Sequence, residues 1–107
     1  MRGEALRGHL DMLLLATVSA RPGHGYAIVA ELRRRSAGAF QLAEGTVYPA
    51  LHRLEEAGLL TSRWADASGR RRRVYSLTRS GRKALADQQS EWERFVNGAR
   101  GVLGVTT

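Results

Sequence analysis

The sequence contains no cysteine and only three histidines among its 107 residues. The lack of cysteine excludes a disulfide framework, a thiolate metal site and a cysteine nucleophile. His9, His24 and His52 are not spaced like zinc ligands, so we expect no metal site. No Ser-His-Asp set, paired carboxylates or phosphate-binding loop is recognisable either. The sequence therefore predicts a protein that is not an enzyme and uses no cofactor.

Long apolar runs are also missing. The longest, residues 12–18, is far too short to cross a bilayer, so we expect no membrane partner. No apolar signal region with a small-residue cleavage site follows the charged residues near the N-terminus, which favours a cytoplasmic protein. The length suits one domain, or one domain with a single appended element.

The positive charge of the chain is concentrated in one short segment. The net charge is +7, yet residues 1–60 have a balance of +1 and residues 84–107 a balance of −1. Residues 61–83 hold eight basic residues against a single acid, Asp66. A basic run is either a solvated or disordered segment or, when folded, the footprint of polyanion binding. Because strand-like and helix-like sequence flanks this run, we favour polyanion binding.

Apolar spacing predicts three helices before the basic segment, over about residues 7–19, 26–36 and 45–57. We expect Tyr26 to lie on the inner face of the second helix. The third helix has a core stripe, and we expect Thr46 to cap it so that Pro49 falls in its first turn. Its opposite, outer face carries the side chains of Thr46, Pro49, His52 and Arg53. Tyr48 lies on the flank of this face.

A hairpin and a long helix complete the predicted fold. Residues 60–65 and 72–77 are strand-like around turn residues 66–69, and four arginines occupy the tip and the returning strand: Arg70, Arg71, Arg72 and Arg73. Thr78 is the expected N-cap of the last helix. Heptad spacing there predicts a dimerisation seam made of Leu85, Trp92, Phe95, Val96 and Ala99.

The order of these elements predicts a mainly α fold with a small β-hairpin. Residues 1–77 would form a winged helix-turn-helix domain, and residues 78–107 a C-terminal dimerisation helix and tail. In such a domain the third helix contacts base edges in the major groove, while a basic wing contacts phosphates or the neighbouring minor groove. The sequence thus predicts sequence-specific DNA binding. The alternative is a non-specific nucleic-acid packaging protein, which needs the basic surplus but no shaped recognition face.

Three sequence blocks closely resemble the PadR family of bacterial transcription regulators. They are GHGY at residues 23–26, EGTVYPALHRLEEAGL at residues 44–59 and YSLTRSG at residues 75–81. The resemblance spans about residues 10–92 and implies a winged-helix homodimer of the short subfamily, with repression relieved by a small molecule. It also implies that Thr46, Tyr48 and Pro49 begin the recognition helix that faces DNA. A two-fold dimer predicts a palindromic operator in double-stranded DNA.

Several side chains keep two interpretations at this stage. Tyr48 either faces DNA or is half-buried packing. Arg53 either contacts a phosphate or pairs with Glu55 or Glu56 within its helix. Trp92 either packs at the dimer seam or, with Gln88 and Phe95, binds a flat aromatic effector between two indole rings. We expect His24 to form a hydrogen bond at the start of a helix rather than to bind a ligand.

Overall fold

Three helices form where apolar residues recur at helical spacing. In the computed structural model, which describes residues 8–67 and 69–104, these are α1 (Leu10–Ala20), α2 (Gly25–Arg35) and α3 (Glu44–Glu56). The predicted start of the first helix at Arg7 lies outside the described residues. The apolar faces of the three helices meet in one core. The core members that these three helices contribute are Leu14, Leu15, Val18, Ile28, Leu32, Val47, Ala50, Leu51 and Leu54.

The predicted core stripe of α3 is confirmed, but the inner face predicted for α2 is wrong at Tyr26. Ile28 and Leu32 are buried, whereas the side chain of Tyr26 is 59% exposed. At 100° per residue, Tyr26 lies about 200° around the helix from Ile28 and therefore points away from the core.

The start of α3 also differs from the prediction. Ala43 is the N-cap residue, and no side chain caps this end, so the expected cap by Thr46 is wrong. The chain enters the helix earlier because Leu42 is buried in the core and the backbone N–H groups of Thr46 and Val47 already donate to the Ala43 carbonyl. Pro49 is consequently inside the helix, where it cannot donate the bond that the carbonyl four residues earlier normally accepts.

The basic segment is folded as an antiparallel hairpin, the wing. Strand β1 (Leu60–Ala67) pairs with β2 (Arg70–Leu77), with Leu60 opposite Leu77 at the base and Asp66 opposite Arg71 near the tip. Each strand runs two residues further toward the tip than predicted. Gly69 turns the chain there with a φ of +73°, a conformation that favours glycine.

The last helix, α4 (Arg79–Leu103), begins at the predicted residue. The Thr78 hydroxyl accepts a hydrogen bond from the Gly81 N–H at 3.0 Å and donates one to the Gly58 carbonyl at 2.6 Å, which confirms the N-cap. Gly81 is required because a Cβ at this position would lie 2.0 Å from the Leu59 carbonyl oxygen. This close approach fixes the first turn of α4 against the base of the wing.

The prediction that Leu85 belongs to the dimer seam is corrected by the structure. Its side chain is only 8% exposed and belongs to the core of the winged-helix domain. Leu85 therefore anchors α4 within the chain and has little surface left for a second copy. Beyond it, α4 continues through Gly98 and Gly101, which gives the molecule extents of 51 × 28 × 21 Å. Within the described part of the chain, no helix is long and apolar enough to span a membrane.

Candidate nucleic-acid interface

The outer face of α3 presents the side chains that the sequence places there. Thr46, Pro49, His52 and Arg53 are exposed, whereas Tyr48 is half-buried. The Tyr48 ring lies against the backbone of α2 at Gly25, where a Cβ would come within 2.0 Å of the ring Cε1. Tyr48 is thus partly a packing residue, and the contact with Gly25 sets the position of its ring beside the outer face.

The wing places alternate side chains on opposite faces. By the observed register, Trp64, Arg71 and Arg73 share one face. These three side chains and Arg72 line a cleft of about 240 Å³ whose other wall includes Tyr48 and His52 of α3. His52, the flanking Tyr48 and three of the four predicted wing arginines therefore meet in one place. Thr46, Pro49 and Arg53 are not part of the cleft lining. Arg70 is exposed near the tip of the hairpin and does not line the cleft.

His24 also lines this cleft, and as the N-cap residue of α2 it has the predicted role at the start of a helix. Its Nδ1 accepts a hydrogen bond from the Ala27 backbone N–H at 3.3 Å. Burial and, to a lesser degree, the positive charge of Arg72 lower the pKa of His24. Since an accepting Nδ1 requires the neutral ring, the lowered pKa and the helix cap favour the same protonation state.

Arg53 forms an ion pair that neither sequence interpretation included. Its Nη2 lies 2.6 Å from Oδ1 of Asp11 in α1, so the predicted pairing with Glu55 or Glu56 is wrong. Glu55 instead accepts a hydrogen bond from Ser62 in the wing, and the guanidinium of Arg73 lies 3.8 Å from the same carboxylate. Contacts between elements, rather than within α3, decide both partners.

The C-terminal helix carries large exposed apolar side chains. Trp92 is 41% exposed and Phe95 is 57% exposed, while Gln88, Val96 and Ala99 are intermediate. The Trp92 ring centroid lies 5.1 Å from that of His9, edge to face, and 5.8 Å from that of Phe95. Beside them is an open groove of about 550 Å³. Its lining includes His9, Met12 and Arg53. These residues lie outside α4, so the heptad pattern of that helix could not predict them.

Metal binding has no support in the described part of the chain. No cluster of three or more histidine, aspartate or glutamate side chains there is suitable for holding a metal ion.

Comparison with known proteins shows the family to which this fold belongs. The model of the "Transcriptional regulator PadR-like family" matches residues 14–87. "Transcriptional regulator Rv3488" of Mycobacterium tuberculosis is 43% identical over 81 residues, which cover 76% of this chain and 70% of that protein. Among solved structures, a PadR family transcriptional regulator from Eggerthella lenta is similar with a TM-score of 0.82 at 31% identity, covering 96% of this chain and 88% of that one. A transcriptional regulator from Clostridium thermocellum has a TM-score of 0.84 at 26% identity, covering 94% and 96%. The chain belongs to the PadR-like family, and it is a DNA-binding winged-helix transcriptional regulator rather than an enzyme.

Proposed function

We propose that this protein is a sequence-specific repressor that binds a palindromic operator as a homodimer and is released by a planar aromatic effector. One observation carries the sequence-specific part of the proposal. His52 on the outer face of α3 and Tyr48 on its flank line a single cleft with Arg71, Arg72 and Arg73 of the wing. Residues that can contact base edges and residues that can contact phosphates then lie side by side, within reach of one DNA duplex.

The side chains divide into two roles in this proposal. Thr46, Tyr48, Pro49 and His52 face the base edges of the major groove, where each base pair presents a distinct pattern of donors and acceptors. Arg53 and the wing residues Arg70, Arg71, Arg72 and Arg73 contact phosphates.

The dimer is proposed to form through the outer half of α4. Trp92, Phe95, Val102 and Leu103 expose large apolar surfaces there, and Val96 and Ala99 lie between them along the helix. A second copy that covers these side chains removes their apolar surface from water. A two-fold arrangement of this kind spaces the two recognition helices by about one turn of DNA or a multiple of it.

The effector site is proposed at the same end of the molecule. Trp92 and Phe95 line an open groove with their aromatic rings, and Gln88 contributes an amide to the same lining. Such a lining suits a flat, largely apolar molecule with a few polar groups. The effector releases DNA by favouring a dimer in which the spacing of the recognition helices no longer matches the groove, since a ligand shifts an equilibrium only through differential affinity.

The decisive experiment is to select genomic fragments bound by the protein and then compare one recovered fragment with a scrambled sequence of equal length. A specific-to-random affinity ratio of about 10³ or more, measured at one salt concentration, supports the proposal. A ratio near one would instead support the non-specific packaging protein. Candidate effectors are then added to the recovered complex.

A further inference from the structure

Trp64 is an exposed aromatic side chain in the wing that the DNA-reading roles above leave unused. Its side chain is 54% exposed although the base of the same hairpin is buried in the core. The guanidinium carbon of Arg73 lies 5.4 Å from the Trp64 ring centroid, and that of Arg71 lies 5.7 Å from it. Both distances fall within the range of an attractive cation–π contact.

The strand register explains why these three side chains meet. Trp64 is directly opposite Arg73, and Arg71 is its diagonal neighbour on the same face. Two guanidinium groups on one strand face repel each other, whereas the negative face of an indole ring attracts both. One tryptophan therefore holds two cations close together on the side of the wing that lines the cleft with α3.

The two arginines differ in how many other groups hold them. The Nε of Arg73 donates to the Ser62 hydroxyl at 2.7 Å, and the guanidinium also lies 3.8 Å from Glu55. The guanidinium of Arg71 forms neither a hydrogen bond nor an ion pair with any residue in the ranges that the structure describes. The Trp64 ring is thus one of several restraints on Arg73 and the main restraint on Arg71.

We propose that Trp64 is a positioning residue for DNA binding, which holds Arg71 and Arg73 in the orientation that backbone phosphates require. This inference rests on the proposed contact between the wing and DNA. A stacked guanidinium keeps its edge free, so the group can lie on an indole face and still donate to a phosphate. Because the stacked arginines have already lost part of their side-chain freedom, less is lost when DNA binds.

The test replaces the ring while all the arginines remain. Trp64→Leu keeps an apolar side chain but removes the aromatic face, and Trp64→Phe keeps a smaller aromatic face. We expect Trp64→Leu to weaken binding to operator and random DNA alike, by about two- to fivefold for each stacked arginine, with Trp64→Phe in between. The slope of the salt dependence should equal that of wild type because no charge is lost, whereas Arg71→Ala should lower it by about one. Equal binding by wild type and Trp64→Leu would overturn the inference.

A double-mutant cycle shows whether Trp64 acts through the arginines. The loss caused by Trp64→Leu should nearly vanish when Arg71 and Arg73 are both alanine, because there is then nothing for the ring to position. It should persist in the Arg70→Ala background, since Arg70 is exposed on the other face of the hairpin. An undiminished loss in the doubly substituted background would show that Trp64 contacts DNA itself, which contradicts the proposed role.

A measurement on the free protein separates this inference from the DNA-binding proposal. In wild type, the indole ring current should move side-chain proton resonances of Arg71 and Arg73 upfield, and the shifts should disappear in Trp64→Leu. If wild type shows these shifts but binds no DNA, the proposed function fails and the positioning role fails with it. If wild type binds its operator and the shifts are absent, only the role of Trp64 is overturned.

Discussion

The carboxylate of Asp11 holds the guanidinium of Arg53, with Oδ1 and Nη2 2.6 Å apart. This contact joins α1 to the outer face of α3, the proposed recognition helix, and both residues also line the groove beside Trp92. An arginine proposed to contact a phosphate thus has an internal partner that competes with DNA. The pair is largely solvent-exposed, so its contribution is of the order of 1 kcal/mol or less.

Asp11→Asn should therefore strengthen DNA binding by up to about fivefold, because it releases Arg53 without changing the shape of the side chain. The measurement is a fluorescence-anisotropy titration with operator and with random DNA at one salt concentration. Asp87→Asn is the matched control, since it removes the same charge from the exposed surface of α4. An equal gain from both variants would show that the net charge, rather than the release of Arg53, is responsible.

The recognition helix and the wing should respond differently to substitution. Thr46→Ala and Tyr48→Phe should each cost about 1–3 kcal/mol on the operator and little on random DNA, because they remove groups that face base edges in the proposed complex. Arg70→Ala should weaken both complexes about equally and lower the salt slope by about one. Equal losses on both DNAs for Tyr48→Phe would assign its hydroxyl to packing beside Gly25 rather than to reading of bases.

The sequence predicted the architecture because hydrophobic periodicity and capping residues act locally. The core face of α3, the hairpin and the Thr78 cap all depend on neighbours within a few residues. The failures have tertiary causes. Tyr26 is spaced like an apolar residue of its helix, but its side chain lies on the side that faces away from the core. Leu85 fits the heptad spacing of the last helix, but its side chain is buried in the core of its own chain.

Most of the contacts that define the candidate site could not be predicted in this way. Arg53 finds its partner 42 positions away, across two helices. The contact of Trp64 with two arginines depends on the register of the hairpin. A slip of one residue would place Trp64 and these arginines on opposite faces of the hairpin. Composition showed where the positive charge is concentrated, but only the folded hairpin shows which arginines share a face.

The lowered pKa of His24 predicts a pH dependence of stability. A folded-state pKa below the ordinary value near 6.5 means that the unfolded chain binds the proton more readily. The contribution of His24 to stability is therefore complete above about pH 6.5 and is lost as the pH falls through that value toward the lowered pKa. His24→Asn retains a side chain that can cap α2 but cannot titrate. Between pH 7.5 and pH 5 the free energy of unfolding should fall more for wild type than for His24→Asn, as measured by urea denaturation. Parallel losses in the two proteins would assign the pH dependence to other groups.

The proposed dimer can be tested on opposite sides of α4. Phe95→Glu should yield a monomer that no longer binds the operator tightly, because it places an unpaired charge in the proposed interface. Asn97→Glu introduces the same charge about 200° around the helix and should leave the dimer intact. Sedimentation of both variants and of wild type at micromolar concentration gives the answer. If wild type is monomeric, or if Phe95→Glu remains dimeric, the proposed dimer interface on α4 is wrong.

The effector proposal gives the last prediction, which uses the two tryptophans of the chain. A flat aromatic molecule that binds beside Trp92 should quench its fluorescence, whereas Trp92→Phe leaves only the emission of Trp64 in the wing. Quenching should therefore be large in wild type and small in Trp92→Phe across a panel of such compounds.

The same titration, repeated with operator present, tests whether binding at Trp92 is linked to DNA release. By thermodynamic linkage, operator must weaken ligand binding by the factor by which the ligand weakens operator binding. A coupling of about 1–3 kcal/mol corresponds to a change of roughly 5- to 150-fold in each affinity. If quenching survives in Trp92→Phe, the compound binds elsewhere. If ligand affinity is the same with and without operator, binding at Trp92 has no regulatory effect and the residue serves in packing alone.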